Sequence, residues 1–377
     1  MPSERFEFRI SYGKLLFWLF ITLVPIAVVG LYSLSHSESA LRRSVGAHLA
    51  SIAESTSAEV SQFVHECVLD AGVMAIEPTI LAAVANANKA HAGVSDAAFN
   101  ARVSEIEKIW NTPAASGIVD GILAAPASKL LRRHLDLDRR LLRITVTDNR
   151  GAVVAATHKT IDYFQADEDF WQAIYAQGRG AVNLTDVLYD EVTKSHYIGV
   201  GVPVLEEGSN RFLGAVDALV DISSLFPVVN RQQVGLTART LLVKEDGTVI
   251  AGPGVSLANN VKAKEVVALR DAFGSLDAHQ PGFLVADLPG GDRRMIGFAD
   301  TGLKRDYQNL GWYVIVSQQE REALAPVRGI SRMMAFLVLL AFITVTLSAV
   351  YFSIHRKIPM AAIEELHRRT ENSSAGD

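Results

Sequence analysis

An acidic stretch beside aromatic residues is the feature of this sequence best suited to binding a small molecule. Glu168 lies at the centre of an acidic run, 167–169. Tyr163 precedes the run, and Phe170 and Trp171 directly follow it. Carboxylates attract a cation, and aromatic ring faces add to that attraction. The pattern predicts a pocket for a cationic or aromatic ligand; the alternative is that these carboxylates are solvated residues of a surface loop.

Sequence motifs of the common enzyme classes are missing. The sequence has no Walker loop, no His-Glu-x-x-His and no Gly-x-Ser-x-Gly. His134, Asp136 and Asp138 have the residue types of a metal site, but their alternating spacing before a predicted strand favours surface charge. Cys67 is the only cysteine, which excludes an internal disulfide. His367 resembles a phosphoacceptor, but no kinase segment accompanies it. We expect no enzyme, no metal and no cofactor.

Composition narrows the class of protein. The 377 residues include 36 Lys+Arg and 41 Asp+Glu, a net charge of −5, which argues against a nucleic-acid-binding protein. Hydrophobic residues make up 49%, so the chain is not intrinsically disordered. The length predicts two or three folded units.

Two uncharged blocks, 15–34 and 333–352, concentrate the apolar residues. Twenty residues of α-helix span about 30 Å, the thickness of the hydrocarbon core of a bilayer. A cleaved signal peptide is the alternative for the first block, but no clear cleavage site follows it. The short flanking tails are basic, which predicts cytoplasmic termini and an extracytoplasmic middle region. We therefore expect a multi-pass protein of the inner membrane with a periplasmic middle region and contact with membrane lipid.

The residues after the first block predict a long helix. Apolar residues recur at three- and four-residue steps from Leu41 to Cys67, which favours a straight helix from Ser35 to Ala75. This stripe is suited either to pairing with a second copy of the chain or to packing on its own domain. Two shorter helical stretches, 96–110 and 116–136, follow.

From Arg143 onward the pattern changes to strands. Alternation at Arg143–Thr147, a turn at 148–151 and a strand at Ala152–Ala156 predict a hairpin. The hairpin pattern recurs around the turn at Glu245-Asp246-Gly247. Further strands are predicted at His196–Val204, Leu213–Ile222, Phe283–Asp287, Arg294–Phe298 and Trp312–Ser317, with a helix at 262–274. Two related modules of α+β class follow from this repeat.

Five segments carry a resemblance to a known family. They are ITVTDNRGAVVA (144–155), DYFQADEDFW (162–171), GVPV (201–204), GAV (214–216) and GWYVIV (311–316). In this order and spacing they resemble the double Cache sensors of bacterial membrane receptors. The resemblance covers residues 15–355 and implies two PAS-like Cache modules on a long N-terminal helix, flanked by two transmembrane helices.

The resemblance gives an expected division of the chain. The parts are a cytoplasmic tail (1–14), a first transmembrane helix (15–34), a stalk and helical segment (35–137), a membrane-distal module (138–230), a membrane-proximal module (231–330), a second transmembrane helix (333–354) and a tail (355–377). The tail resembles the first helix of a HAMP linker, the alternative being a simple basic amphipathic tail. The chain is then either a fragment of a longer receptor or a sensor that acts through a cytoplasmic signalling partner.

The resemblance also implies a ligand site in the distal module. Members that bind amino acids have a Tyr, an Arg five residues later, two aromatics, a later Tyr and an Asp on the last strand. Here Glu168 stands at the place of the Arg, and Leu219 stands at the place of the Asp, with Asp217 and Asp221 two residues to either side. The predicted site residues are Tyr163, Glu168, Phe170, Trp171, Tyr189, Tyr197 and Asp217.

Glu168 decides the predicted ligand class. A carboxylate in place of the arginine would repel the carboxylate of an amino acid. We therefore expect a small-molecule ligand that is not a standard α-amino acid and is cationic or aromatic. The predicted function is a homodimeric membrane receptor for signal transduction, such as a chemoreceptor or part of a two-component system. The alternative is a membrane-anchored binding or scaffold protein without its own output.

Overall fold

The structure is a computed structural model that describes residues 12–190, 195–231, 235–254, 260–274 and 280–354. The expected HAMP-like tail, 355–377, lies outside the described residues. The helices are α1 (Tyr12–Ile76), α2 (Pro78–Ala90), α3 (Asp96–Trp110), α4 (Ser116–Ala124), α5 (Pro126–Leu137), α6 (Asp169–Tyr175), α7 (Leu225–Asn230), α8 (Lys264–Phe273), α9 (Leu303–Asp306), α10 (Glu320–Ala323) and α11 (Ala325–Ile354). The strands are β1 (Leu141–Asp148), β2 (Val153–Ala156), β3 (Asn183–Leu184), β4 (Leu188–Asp190), β5 (Ser195–Leu205), β6 (Phe212–Asp221), β7 (Arg239–Lys244), β8 (Val249–Ala251), β9 (Gly282–Leu288), β10 (Asp292–Asp300) and β11 (Trp312–Gln319).

The strands form two antiparallel sheets with the same order. The first runs β2-β1-β6-β5-β3, with β4 also paired to β5, and the second runs β8-β7-β11-β10-β9. We call the first the distal sheet and the second the proximal sheet. The predicted α+β class and long N-terminal helix are confirmed.

Matching hairpin turns open the two sheets. The carboxylate of Asp148 accepts hydrogen bonds from the backbone N–H groups of Arg150 and Ala152, and Asp246 accepts one in the same way from Thr248. Gly151 then has φ +89°, a conformation that glycine adopts without strain. The recurrence of this turn chemistry is the physical basis of the repeat seen in the sequence.

Prolines divide the helices where the chain changes direction. Helix α1 ends at Ile76 and Pro78 is the first residue of α2, a position where its missing N–H costs nothing. The single stretch predicted at 116–136 is wrong in this respect, because Pro126 begins a new helix. Ala125 is held extended before it, with φ −58° and ψ 148°, as a residue preceding proline prefers.

The predicted apolar stripe of α1 packs within its own unit. Leu49, Ile52, Val60 and Cys67 are almost fully buried. The proximal sheet approaches this helix closely, since a Cβ on Gly297 of β10 would lie 2.4 Å from the backbone carbonyl carbon of Leu49. The absence of a side chain at 297 therefore lets the sheet touch the helix backbone.

Farther along, α1 also holds the distal sheet. Arg140, just before β1, donates to Asp70 of α1 at 3.0 Å and to Asp138 at 2.8 Å. Its guanidinium lies 5.7 Å from the ring centre of Phe63. One helix thus carries both sheets.

The described residues group into two compact units. The unit Val45–Glu322 contains both sheets, and the other contains the helical residues before 45 and after 322. Within the described residues, no single helix is long and apolar enough to cross a membrane. Two bent pairs meet those criteria together, Ala27–Ile76 with Pro78–Ala90 and Pro113–Ala124 with Pro126–Leu137, and Arg332–Ser348 is a shorter apolar helix.

Gly297→Ala tests the close packing of the proximal sheet on α1. We expect it to lower the free energy of unfolding by about 1–3 kcal/mol, because the added methyl group meets backbone that cannot move aside. Gly72→Ala is the matched control: it lies in α1 with open space around it and should stabilise by about 0.5–1 kcal/mol. Thermal unfolding of the full chain measures both. An unchanged midpoint for Gly297→Ala would contradict the packing.

Candidate functional site

Helix α6 covers one face of the distal sheet, here called the inner face. The indole N–H of Trp171 donates to the hydroxyl of Thr147 on β1 at 2.8 Å. Gly201 on β5 leaves room for Ile174, whose Cδ1 would lie 2.2 Å from a Cβ at that position. Ala215 of β6 packs in the same apolar cluster as Trp171 and Ile174. This cluster covers one end of the inner face.

Beyond the cluster, the inner face is polar. Asp217 of β6 faces Thr145 on β1 and Gly201 on β5 in the register of the strands. Arg143 lies two residues before Thr145 and is on the same face, because side chains alternate along a strand. Both Asp217 and Arg143 are partly buried. A carboxylate and a guanidinium thus lie at the middle of a sheet, where apolar residues are usual.

Burial and the charge of Arg143 determine the pKa of two carboxylates at this face. Burial raises the pKa of Asp217 to about 6, and the charge of Arg143 opposes that rise. The pKa of Asp162 is also raised, mainly by burial, while Arg143 again lowers it. The guanidinium of Arg143 therefore lowers the pKa of both carboxylates, and together the three groups carry a net negative charge when both carboxylates are ionised.

Gly199 of β5 lets Thr185 approach Asp217. A Cβ there would lie 2.8 Å from the hydroxyl of Thr185 and 3.7 Å from Oδ1 of Asp217. Gly201, two residues farther along β5, is directly opposite Asp217 in the register of the strands.

The two predicted aromatics of α6 belong to the core of the distal module. Trp171 is 3% exposed and stacks on Tyr175 with ring centres 5.1 Å apart. Phe212 meets Trp171 edge-on at 5.9 Å, and Phe170 packs against the same cluster. Trp171 therefore closes one end of the inner face with its ring already packed.

Tyr163 lies at the edge of the distal sheet beyond β2. Its backbone carbonyl accepts from Val153, which extends the sheet by one short segment. Glu107 of α3 accepts from the backbone N–H groups of Tyr163 and Phe164 at 2.7 and 2.6 Å. The ring of Tyr163 lies 5.4 Å from that of Trp110. Helix α3 thus positions the start of the predicted ligand loop.

The remaining predicted residues divide between the faces of the sheet and its rim. Tyr197 of β5 is on the inner face with Gly199, because the two are two residues apart on one strand. Tyr189 pairs with His196, which places it on the other face, and its side chain is 49% exposed. Glu168 is exposed just before α6, and partial burial followed by the charges of Asp162 and Asp167 raises its pKa.

The centre of the corresponding face of the proximal sheet is filled with apolar side chains. Leu241, Val243, Ile296, Phe298, Tyr313 and Ile315 pack beneath Val266 and Leu269 of α8. One end of the same face is charged: Arg239 of β7, at the position equivalent to Arg143, donates to the buried Glu265 of α8 at 2.6 Å, and Ser317 of β11 donates to the same carboxylate at 2.8 Å. The two sheets therefore differ at the central position, where the proximal sheet has Ile315 and the distal sheet has Asp217.

A cavity of about 610 Å³ lies at the edge of the proximal module, between α8 and β9. Its floor is formed by Leu284 and Ala286, which pack on the same core.

Arg143 and Thr185 are inner-face residues that the sequence interpretation omitted. The signal for Arg143 was present, because polar residues alternate with apolar ones from Arg143 to Thr147. Within the described part of the chain, no group of three or more His, Cys, Asp or Glu side chains is arranged to hold a metal ion.

Comparison with solved structures found sensory domains that this chain is similar to. The sensory domain of the Campylobacter jejuni chemoreceptor Tlp3 (CcmL), with isoleucine bound, is 13% identical over 75% of this chain and 95% of its own, with a TM-score of 0.48. The ligand-binding domain of the Pseudomonas aeruginosa PAO1 amino-acid chemoreceptor PctB, in complex with L-Arg, is 16% identical over 73% of this chain and 95% of its own, with a TM-score of 0.39. No curated protein matches the chain.

A family model gives the assignment. The model of the dCache family of Cache domains matches residues 37–327, which include every strand of both sheets. Cache domains are ligand-binding, non-catalytic sensor domains of membrane receptors, so the match supports a sensory role. The chain belongs to the dCache family of Cache domains.

Proposed function

We propose that this protein is a membrane receptor whose extracytoplasmic double Cache region binds a small organic cation on the inner face of the distal sheet. The observation that carries the proposal is the carboxylate of Asp217 at the centre of the distal sheet, close to the charge of Arg143, at a position where the proximal sheet has the apolar Ile315. A buried charge is costly unless it has a partner. A bound ligand that pairs with Asp217 would supply that partner.

The charge of the inner face favours a cation over an anion. The charge of Arg143 acts on both Asp217 and Asp162. Glu168, just before α6, is a third carboxylate at the edge of this face. An ammonium group pairs with a carboxylate through charge-assisted hydrogen bonds. Tyr197 supplies a ring on the same face. The proposed ligand is therefore an aliphatic or aromatic amine without an α-carboxylate.

The membrane location is supported by the uncharged blocks at 15–34 and 333–352. Their described side chains are largely exposed, including Phe17, Phe20, Phe336 and Leu347. Exposed apolar side chains at this density are typical of surfaces that meet lipid or another protein. Both blocks as bilayer spans would put the sensor outside and both termini in the cytoplasm, where a signalling partner would act.

A second copy of the chain is the proposed partner of α1. Leu69, Val73 and Ile76 are 68%, 53% and 70% exposed. They follow one another at four- and three-residue steps, which places them on one side of the helix. This apolar strip is separate from the buried stripe and is free to pair with its equivalent in a homodimer.

A thermal-shift panel on the full chain in detergent tests the ligand class. The probes are aliphatic diamines, aromatic monoamines, a quaternary ammonium and the standard α-amino acids. We expect an amine to raise the unfolding midpoint. Asp217→Asn should weaken that amine about tenfold or more, because the amide oxygen still accepts a hydrogen bond but no longer carries the negative charge that strengthens it. Glu168→Gln should have a smaller effect, since exposed charges contribute little.

Glu207→Gln serves as the control for this panel, because Glu207 is an exposed carboxylate on the β5–β6 turn of the same sheet. Its amine affinity should equal that of the unmodified protein. Tight binding of an ordinary α-amino acid, or an amine whose affinity survives Asp217→Asn unchanged, would contradict the proposed ligand and site.

Leu69→Glu with Val73→Glu tests the homodimer. Placing like charges on both copies of the strip should convert a dimer to a monomer in analytical ultracentrifugation of the full chain. Leu137→Glu is the control, because Leu137 is an equally apolar side chain that is 85% exposed elsewhere in the same unit. A dimer that persists in the double variant would show that α1 does not form the interface through this strip.

A further inference from the structure

The loop 184–187, which comprises the last residue of β3 and the three residues before β4, bonds to both modules at once. Thr185 lies beside the inner face of the distal sheet. The next residue, Asp186, bonds to the proximal module. A movement of one part of this loop cannot leave the other part in place, because the two residues are adjacent in the chain.

Thr185 is hydrogen-bonded to β5 beside Asp217. Its backbone N–H donates to the carbonyl of Gly199 at 2.9 Å, and its hydroxyl accepts from the N–H of Gly199 at 2.7 Å. A Cβ on Gly199 would contact both this hydroxyl and Asp217. A ligand on Asp217 therefore occupies space next to Thr185.

Both carboxylate oxygens of Asp186 bond to side chains of the proximal sheet. Oδ2 lies 2.9 Å from Nζ of Lys244, and Oδ1 accepts from the indole N–H of Trp312 at 3.0 Å. Two further bonds reach the same loop: Asn309 donates to the carbonyl of Leu184 at 2.9 Å, and Lys244 donates to that of Val187 at 3.3 Å. Side chains of the proximal module thus bond to three of the four residues of this segment, Leu184, Asp186 and Val187.

The anchored strands lead directly to the C-terminal helices. Lys244 and Trp312 face each other on β7 and β11. Trp312 is fully buried, so its ring cannot shift without moving β11. That strand ends at Gln319, and α10 begins at the next residue.

We propose that the loop 184–187 is the relay that couples occupancy of the inner face to strand β11. Ligand pressing on Thr185 displaces Asp186, and the bonds from Asp186 to Trp312 and Lys244 transfer the displacement to the proximal sheet. Both bonds are near ideal length, so a displacement of about 1 Å must either break them or carry their partners along. The inference rests on the proposed ligand site, although its test needs no ligand.

In the experiment, the methyl group of an introduced alanine takes the place of the ligand and presses on Thr185. Gly199→Ala places a carbon where Thr185 now lies and should push the loop. The readout is the ¹⁹F spectrum of the full chain labelled with 5-fluorotryptophan. The chain has four tryptophans, so the spectrum has few resonances. The resonance that disappears in Trp312→Phe is that of Trp312. We expect Gly199→Ala to shift the Trp312 resonance.

Asp186→Ala separates the relay from a general disturbance of the fold. In that background the Trp312 resonance starts from a new position, and adding Gly199→Ala should leave it unmoved. Asp186→Asn keeps the acceptor for the indole and removes the charge paired with Lys244, so it should retain part of the coupling. Gly201→Ala is the matched control, because its methyl group meets chiefly Ile174 of α6, at 2.2 Å, and comes only to 3.3 Å from the backbone carbonyl of Asn183, before the loop. It should move the Trp171 resonance and leave that of Trp312 in place.

Two results would overturn the relay. One is a Trp312 resonance that does not respond to Gly199→Ala. The other is a response of equal size with and without Asp186. Should Gly199→Ala fail to fold, Thr185→Val takes its place, because it removes the hydroxyl that accepts from Gly199. Either of the same two results, measured with Thr185→Val, would then overturn the relay. Because no ligand is added, failure of the amine panel leaves this test intact, and failure of the relay leaves the amine panel intact.

Discussion

The packing of both sheets on one continuous helix is the constraint on which the rest of the structure depends. Gly297 brings the proximal sheet against the backbone of α1 at Leu49, and Arg140 joins the distal sheet to Asp70 farther along. At 1.5 Å per residue these contacts are about 30 Å apart along the axis. With its outer surface fixed in this way, each sheet presents its opposite face to its own short helix, α6 or α8. What lies between sheet and short helix then distinguishes the two modules.

The two modules share a strand order and differ in what fills that space. In the proximal module, Phe298, Tyr313 and Ile315 form an apolar core with α8. In the distal module the equivalent central positions hold Asp217 and small or polar neighbours. Burying a carboxylate in such a place lowers stability unless something pairs with it. The distal module thus has a carboxylate at the central position of this face, whereas the proximal module has an apolar side chain there and places its buried charge at one end, where Arg239 pairs with Glu265.

Much of the fold could be predicted from residue patterns, because most of its strands are long. The strands predicted at Arg143–Thr147, Leu213–Ile222 and Trp312–Ser317 correspond to β1, β6 and β11. Strands β3 and β4 are two and three residues long and carry no readable period, so they were missed. The loop between them, with Thr185 and Asp186, was missed for the same reason.

The candidate site was harder to predict, because neighbours across a sheet are distant in sequence. Trp171 has the residue type of a stacking platform, yet it is packed into the core. Arg143 lies 74 residues before Asp217, and only the register of β1 with β6 puts them on one face. Spacing within a single loop, 163–171, therefore pointed to the same module as the proposed site but could not supply the central charges.

The central claim is that the carboxylate of Asp217 receives a cation, and the pH dependence of amine binding tests it most directly. Burial raises the pKa of Asp217 to about 6, so the carboxylate is ionised above that pH and neutral below it. Calorimetry with the best-binding amine should show constant affinity from pH 7 to 8 and a loss that approaches tenfold per unit below pH 6, as expected for binding linked to one proton. Asp217→Asn should bind weakly with no such dependence. An affinity that stays level through pH 6, or that falls equally in Asp217→Asn, would contradict the account.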